Sequence, residues 1–364
     1  MAQTSGLTVA PGIVLPMDSV KRTVLMSSLR GWLASAKGPD SLNEYVALAD
    51  RPVTGVLMGQ LRGLKADCYL GAVTSLDSLH WQIQLNYMSP HSDTPVLQAC
   101  CTVLARLDGD RFFISSPLRE NTVGWKSRTI GCCTFHYKTG INKDRATEFE
   151  RTVVSYDKRL KIPSPVIDYY CCDNFMEAAK LVGIDYMSRY SGFGFADLSD
   201  DYGRRSVIVA GNEWKDGFCP VSMHDMWHGE LHKAVSVKVI NRPVDEGTAY
   251  LYGGSWIVYS WKDILTMMKE YALQHPGADW RALYKDGVNL IPPPKIIKIS
   301  YIINALIVQR LEKEKGFTAA LPILCCGAKE PGDANYFAAV EKTTGVGEAG
   351  FNGYIDGLIK DALY

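Results

Sequence analysis

The sequence predicts an α+β protein: a small N-terminal module of one helix and an antiparallel sheet, followed by a mainly helical region with a short sheet. Three observations predict this fold class. Apolar residues recur at helical spacing over residues 17–36. β-rich runs then occupy residues 68–137. Beyond residue 140, helical patterns separated by Pro and Gly dominate.

The N-terminal module is expected over residues 1–128. Its helix 17–36 ends before Gly38-Pro39-Asp40, which cannot continue a helix. Strands are predicted at 68–73, 80–87, 97–107 and 111–115. Asp108-Gly109-Asp110 between the last two predicts a hairpin turn. One helix followed by a curved sheet is typical of cone-like modules that bind a small ligand or a partner.

The second domain is expected over residues 129–364. It begins with one β run at 129–137. Pro163 and Pro165 then separate the predicted helix 142–158 from the predicted strand 166–171. The remaining predicted elements are helices at 174–182, 295–313 and 353–363 and a strand at 206–210.

Composition excludes several classes of function. The 364 residues include 39 Lys+Arg and 39 Asp+Glu, so the net charge of zero and the absence of basic runs argue against nucleic-acid binding. A hydrophobic content of 47% argues against intrinsic disorder. The ten cysteines, eight of them in adjacent pairs, are interpreted mainly as small buried residues.

No segment reaches the roughly 20 apolar residues that span a bilayer, so no integral membrane segment is expected. Residues 1–5 lack the charged and apolar parts of a secretory signal. We therefore expect the protein to be either cytoplasmic or the product of signal removal.

The chemistry-bearing segment is His224-Asp225-Met226-Trp227-His228. Two His four positions apart on a helix share one face, and zinc sites use this spacing. A third candidate ligand, Glu246, follows 18 positions later on a second predicted helix with Pro243 in its first turn. Three protein ligands with one open position is the catalytic form of a zinc site.

This pattern resembles the gluzincin metallopeptidases, whose His-Glu-x-x-His motif precedes a ligand Glu on a later helix, often in Glu-Gly-x-Ala. The resemblance covers roughly residues 129–364 and implies a zincin-like domain that hydrolyses peptide bonds in peptide or protein substrates. Zn²⁺ is then held by His224, His228 and Glu246, and Asp225 activates a zinc-bound water. A Tyr would stabilise the oxyanion; Tyr250 is the candidate, and Tyr252 is the alternative. A secreted or periplasmic location is also implied.

The chain departs from that pattern at Asp225, because the family has Glu there. Asp is one methylene shorter, and a misplacement of about 1 Å can cost ~10²-fold in rate. The alternative is therefore an inactive zincin-like binding or scaffold protein, in which Ser222 and Asp225 form a helix cap. His228 and His232 are also four positions apart, so they are an alternative pair of metal ligands.

Overall fold

The computed structural model describes residues 6–35, 43–91, 94–192, 196–211, 218, 221–255 and 258–362. Within these residues the strands are β1 Leu7–Val9, β2 Asp67–Ser75, β3 His80–His91, β4 Thr94–Asp108, β5 Arg111–Ser115, β6 Lys126–Ile130, β7 Cys133–Tyr137, β8 Val166–Cys172, β9 Ile184–Met187, β10 Ala196–Tyr202 and β11 Arg205–Gly211. The α-helices are α1 Ser19–Ser35, α2 Arg51–Leu61, α3 Leu118–Asn121, α4 Lys143–Leu160, α5 Phe175–Leu181, α6 Met223–Ala234, α7 Arg242–Gly253, α8 Trp261–Gln274, α9 Trp280–Asp286, α10 Ile299–Lys315, α11 Leu321–Leu324, α12 Ala334–Thr344 and α13 Phe351–Asp361.

The chain forms two compact units. Unit 1 comprises Met1–Glu150 and Pro165–Pro220, and unit 2 comprises Arg151–Ser164 and Val221–Tyr364. The boundary expected from the sequence fell near residue 128, whereas the structure divides the chain at residues 150, 164 and 220. The difference arises because β6 and β7 pair with β8, which keeps residues 126–137 in unit 1.

Unit 1 contains two sheets. The first has the order β1-β2-β3-β4-β5, with β9 also paired to β4; β1 is parallel to β2 and the other pairs are antiparallel. Helix α1 packs against β5 and buries Leu25, Leu29 and Trp32 completely. The Ser28 hydroxyl accepts a hydrogen bond from the Phe112 amide, which fixes the helix to the sheet.

The second sheet of unit 1 has the order β10-β11-β8-β7-β6. Its central strands β11, β8 and β7 are parallel neighbours. Helix α2 packs on β10 and β11. There a Cβ on Gly55 would collide with the Asp200 carboxylate, so glycine permits the close approach.

Unit 2 is helical, and its core is built on α10, which is buried along most of its length. Helix α7 lies so close to α10 that a Cβ on Gly247 would stand 2.6 Å from both the Tyr301 carbonyl oxygen and the Asn304 Cβ. Helix α6 is tied to α7 by the Trp227 indole, which donates to the Thr248 hydroxyl at 2.7 Å. These two contacts position the helices that carry the candidate site.

The α+β prediction is confirmed, with sheets in the N-terminal part and helices in the C-terminal part. The short sheet, however, lies in unit 1 and not among the C-terminal helices. The single run expected at 129–137 belongs to two strands, because the chain turns at Gly131, where φ is +53°. Helix α2 was not anticipated.

None of the described helices is both long and apolar enough to cross a membrane. Among the described residues no two cysteines are joined by a disulfide, and five of the nine described cysteines are buried; Cys219 lies outside these residues.

Candidate metal centre

The site is built on α6 and α7, and local sequence explains where both helices begin. The Ser222 hydroxyl caps α6 by accepting the Asp225 amide at 3.2 Å. Helix α7 begins with Pro243 in its first turn, where no amide hydrogen is needed. It ends at Gly254, whose φ of +72° is readily adopted only by glycine.

The end of α7 touches the start of α6. A Cβ on Gly253 would collide with the backbone of Met223 and His224, so the contact requires glycine. This approach brings the Gly254 carbonyl to 2.8 Å from Nδ1 of His224. Because a carbonyl only accepts hydrogen bonds, Nδ1 carries the proton, and Nε2 of the neutral ring is left with a lone pair.

His228 has the same tautomer for a different reason. Its Nδ1 lies 2.6 Å from Oδ1 of Asp245, a side chain that is only 8% exposed. Burial would raise the pKa of Asp245, but the hydrogen bonds and charges of His228 and His232 outweigh it and hold that pKa below its ordinary value. Asp245 is therefore a carboxylate that accepts from Nδ1, so whenever the His228 ring is neutral its lone pair is on Nε2.

The free ring nitrogens face one another and a carboxylate. The two Nε2 atoms of His224 and His228 are 3.2 Å apart, and Oε2 of Glu246 lies 3.4 Å from the first and 3.9 Å from the second. These three side chains are only 15–18% exposed. Three acceptor atoms thus converge on one point, which is an arrangement that a cation stabilises.

The pKa shifts of Glu246 and His224 both favour positive charge at this point. Burial raises the pKa of Glu246, yet the His224 ring, which donates to Glu246 when its Nε2 also carries a proton, and the nearby His228 and Arg242 lower it overall. Burial lowers the pKa of His224, but its bonds to Glu246 and the Gly254 carbonyl raise it overall. The site therefore keeps Glu246 ionised and attracts positive charge, whether a proton or a metal ion.

A second group overlaps the first. His228, His232 and Asp245 also place one ligand atom each within 4.8 Å of one another, so this group could hold a metal ion too. His232 Nε2 lies 3.1 Å from Oδ2 of Asp245. The first group uses Nε2 of His228, whereas Nδ1 is the nitrogen that faces Asp245. One neutral imidazole offers only one lone pair, so the two groups compete for His228.

The structure brings together His224, His228 and Glu246, the three ligands predicted from the sequence. Asp225 is exposed in the first turn of α6, one residue beyond His224. The ring of Tyr250 lies 5.7 Å from the His224 ring, but its hydroxyl donates to the Ile296 carbonyl at 3.1 Å. The Tyr250 hydroxyl proton is therefore already used in the hydrogen bond to Ile296.

The alternative tyrosine, Tyr252, is committed as well. Its hydroxyl lies 2.7 Å from Oε2 of Glu312, and the Arg159 guanidinium stands 4.2 Å from its ring centre. The assignment of either tyrosine to the oxyanion stays a prediction.

Sequence reasoning missed two groups that orient the His rings, Asp245 and the Gly254 carbonyl. Asp245 directly precedes Glu246, and the paired acids in Asp-Glu-Gly-x-Ala were the available signal. No sequence pattern could have indicated the Gly254 carbonyl, because every residue has a backbone carbonyl.

Three comparisons were made with known proteins. No family model, no curated protein and no solved structure shows significant similarity to this chain. The chemistry that this protein can perform is therefore inferred from the geometry of the site.

Proposed function

We propose that unit 2 binds one zinc ion through Nε2 of His224, Nε2 of His228 and Oε2 of Glu246, and that it hydrolyses peptide bonds. The observation that carries the proposal is the convergence of these three acceptor atoms, with the two Nε2 atoms only 3.2 Å apart. Nitrogen and carboxylate ligands from three residues, with a fourth position left open, are typical of catalytic zinc.

The residues present fit such an ion. Both His rings have Nδ1 engaged by an acceptor, which leaves Nε2 as the ligand atom. Ring nitrogens of metal-binding His are usually supported in this way by a carboxylate or a backbone carbonyl. The group containing His232 is disfavoured for the same ion, because it would require Nδ1 of His228 to leave Asp245.

Bound zinc polarises a substrate carbonyl and makes water acidic near neutral pH. Asp225 is the candidate base, since it follows His224 and is exposed at the start of α6. It would accept the proton of the attacking water. Because its side chain is one methylene shorter than Glu, we expect hydrolysis to be slow, by up to ~10²-fold.

The first test is the metal content of the purified protein, measured by inductively coupled plasma mass spectrometry without a His tag. We expect about one zinc per chain in the wild type and almost none in His228→Ala or Glu246→Gln. The matched control is His275→Ala, which removes a His of unit 2 that stacks on Tyr271 and belongs to neither group of possible metal ligands. Wild type that takes up no zinc, even after dialysis against it, would overturn the proposal.

The second test is peptide hydrolysis by the zinc-loaded protein. Cleavage that is lost in Asp225→Asn and increased in Asp225→Glu would support Asp225 as the base.

A metal-binding scaffold without catalysis is the second candidate function, and the substitution of Asp for the expected Glu is the feature that favours it. It predicts stoichiometric zinc but no cleavage by wild type or by Asp225→Glu.

A further inference from the structure

Unit 1 contains a polar cleft of about 300 Å³ that has no part in the metal centre. This volume is at the lower end of the range for small-ligand pockets. Its lining, here called the β8 cleft, consists of Pro52, Val53, Arg119, Thr122, His136, Asp168, Tyr170, Arg205 and Val207. All nine residues belong to unit 1.

Strand register places the polar side chains of the β8 cleft on one face of the sheet. On β8, Asp168 and Tyr170 alternate with Tyr169, so they share a face. Tyr170 is level with His136 on β7, and Asp168 is level with Val207 on β11. Since β7, β8 and β11 are neighbours, these side chains converge above three adjacent strands.

Three polar side chains of the cleft, His136, Asp168 and Arg119, have partners. His136 Nε2 lies 3.2 Å from Oδ1 of Asp168, and the His136 ring stacks on Tyr170 with centres 4.4 Å apart. Arg119 donates to the Ala49 carbonyl at 2.5 Å and lies 3.5 Å from the Asp50 carboxylate. These contacts hold the walls of the cleft in place.

Two donors in the cleft have no hydrogen-bond acceptor among the described residues. Tyr170 is only 6% exposed, yet no hydrogen bond of its hydroxyl is seen there. The nearest carboxylate to Arg205 is Asp168, at 3.9 Å, which is beyond hydrogen-bonding distance. The Tyr170 hydroxyl and the half-exposed Arg205 guanidinium therefore each keep a donor that a bound acceptor can use.

The hydroxyl of Tyr170 is a donor at physiological pH. Burial and the Asp168 charge raise its pKa to about 12, although Arg119 and Arg205 oppose the shift. A guanidinium offers planar paired donors that match a carboxylate or phosphate. Arg205 and Tyr170 together therefore present donors suited to an oxygen anion.

We propose that the β8 cleft binds a small oxyanion, either a carboxylate or a phosphate monoester, through Arg205 and the Tyr170 hydroxyl. The two arginines of the cleft are balanced by Asp168 and Asp50, so the affinity comes from directed hydrogen bonds more than from net charge. The site is independent of the metal centre and of the proposed hydrolase activity.

The test is isothermal titration calorimetry of the full chain with inorganic phosphate and, separately, with acetate. Sodium chloride at equal ionic strength controls for general salt effects. Binding of phosphate alone would identify a phosphate ester as the source of the ligand group, and binding of acetate alone would identify a carboxylate. Binding of both supports a general oxyanion site, and no binding of either at millimolar concentration overturns the proposal.

Variants assign the site to the cleft. Tyr170→Phe removes only the hydroxyl, and Arg205→Gln removes the guanidinium; each should weaken binding about 10-fold or more. Arg204→Gln removes the same charge from the adjacent position, outside the lining, and should bind like the wild type. Equal affinity in Arg204→Gln and Arg205→Gln would place the anion elsewhere and overturn the proposal.

Discussion

Nδ1 of His228 and Oδ1 of Asp245 are 2.6 Å apart, and the hydrogen bond between them joins α6 to α7. It fixes the tautomer of a candidate ligand and adds negative charge behind its ring. Asp245 thus completes the site without contributing an atom to the proposed ion.

We expect Asp245→Asn to lower zinc affinity by about 10- to 100-fold, the usual cost of losing such a supporting carboxylate. Competition with a chromogenic chelator measures the affinity. Asp286→Asn, which changes an exposed acid at the end of α9, is the control and should match the wild type. Unchanged affinity in Asp245→Asn would show that the charge of Asp245 does not support His228.

His232→Ala separates the two overlapping metal groups. If the ion is held by His224, His228 and Glu246, the variant should retain about one zinc per chain, because His232 faces Oδ2 of Asp245, whereas Oδ1 accepts from His228. Glu246→Gln should lose it. The reverse pattern, with metal lost in His232→Ala and retained in Glu246→Gln, would move the ion to the second group. Metal analysis of both variants in parallel decides between them.

Tyr250→Phe tests the predicted oxyanion role against the hydrogen bond in the structure. Removing the hydroxyl deletes its hydrogen bond to the Ile296 carbonyl, so the free energy of unfolding should fall by about 0.5–1.5 kcal/mol. Urea unfolding measures this loss. A stable variant with a strongly reduced rate of peptide cleavage would instead assign Tyr250 to catalysis.

Gly247→Ala should destabilise the protein, because its Cβ would stand 2.6 Å from the Tyr301 carbonyl oxygen, and backbone cannot easily move aside. Overpacking of this kind typically costs about 1–3 kcal/mol. Gly357→Ala on α13 is the matched control, since nothing lies within 4 Å of its added Cβ. The control should be neutral or gain up to about 1 kcal/mol from helix propensity. Equal unfolding free energies for the two variants would contradict the close contact between α7 and α10.

The buried Asp157 carboxyl should make the stability of the protein depend on pH. It is 1% exposed and lies beside Glu230, and burial raises its pKa above the ordinary 3.8, although Ser164 and Lys233 oppose this. The folded state therefore binds more protons than the unfolded state, so its stability falls as pH rises from near 3.8 through the raised pKa.

Asp157→Asn cannot ionise and should abolish that fall. Relative to the wild type, the variant should gain stability as pH rises to 7. Urea unfolding across this pH range, with Asp286→Asn as the control, measures the effect. A constant difference between Asp157→Asn and the wild type at all pH values would rule out ionisation of Asp157 as its cause.

The sequence predicted the parts of the site that depend on local periodicity. His224 and His228 share a face because a helix repeats every 3.6 residues, and Ser222 is a recognisable cap. Placement of Glu246 depended on how α6 and α7 pack, which local spacing does not determine. The orienting contact of Asp245 is tertiary for the same reason.

The fold could be predicted from the sequence to about the same extent as the site. Alternating runs located β2 to β5 closely, because one face of each is buried. The sequence did not predict helix α2, because most of its residues are buried and it therefore lacks the polar face that is typical of a surface helix. The pairing of β7 with β8, which moved the second sheet into unit 1, is a long-range contact that no local pattern encodes.

The two His rings differ in what holds them, and this difference bears on how the site can evolve. His224 is oriented by the main chain at Gly254, a group that every amino acid supplies and that no substitution of a side chain can delete. His228 is oriented by Asp245, which a single codon change can lengthen, neutralise or remove. Selection can therefore adjust the basicity of only one of the two rings directly. Position 245 is accordingly the place where drift or engineering would alter metal preference while the ligands stay the same.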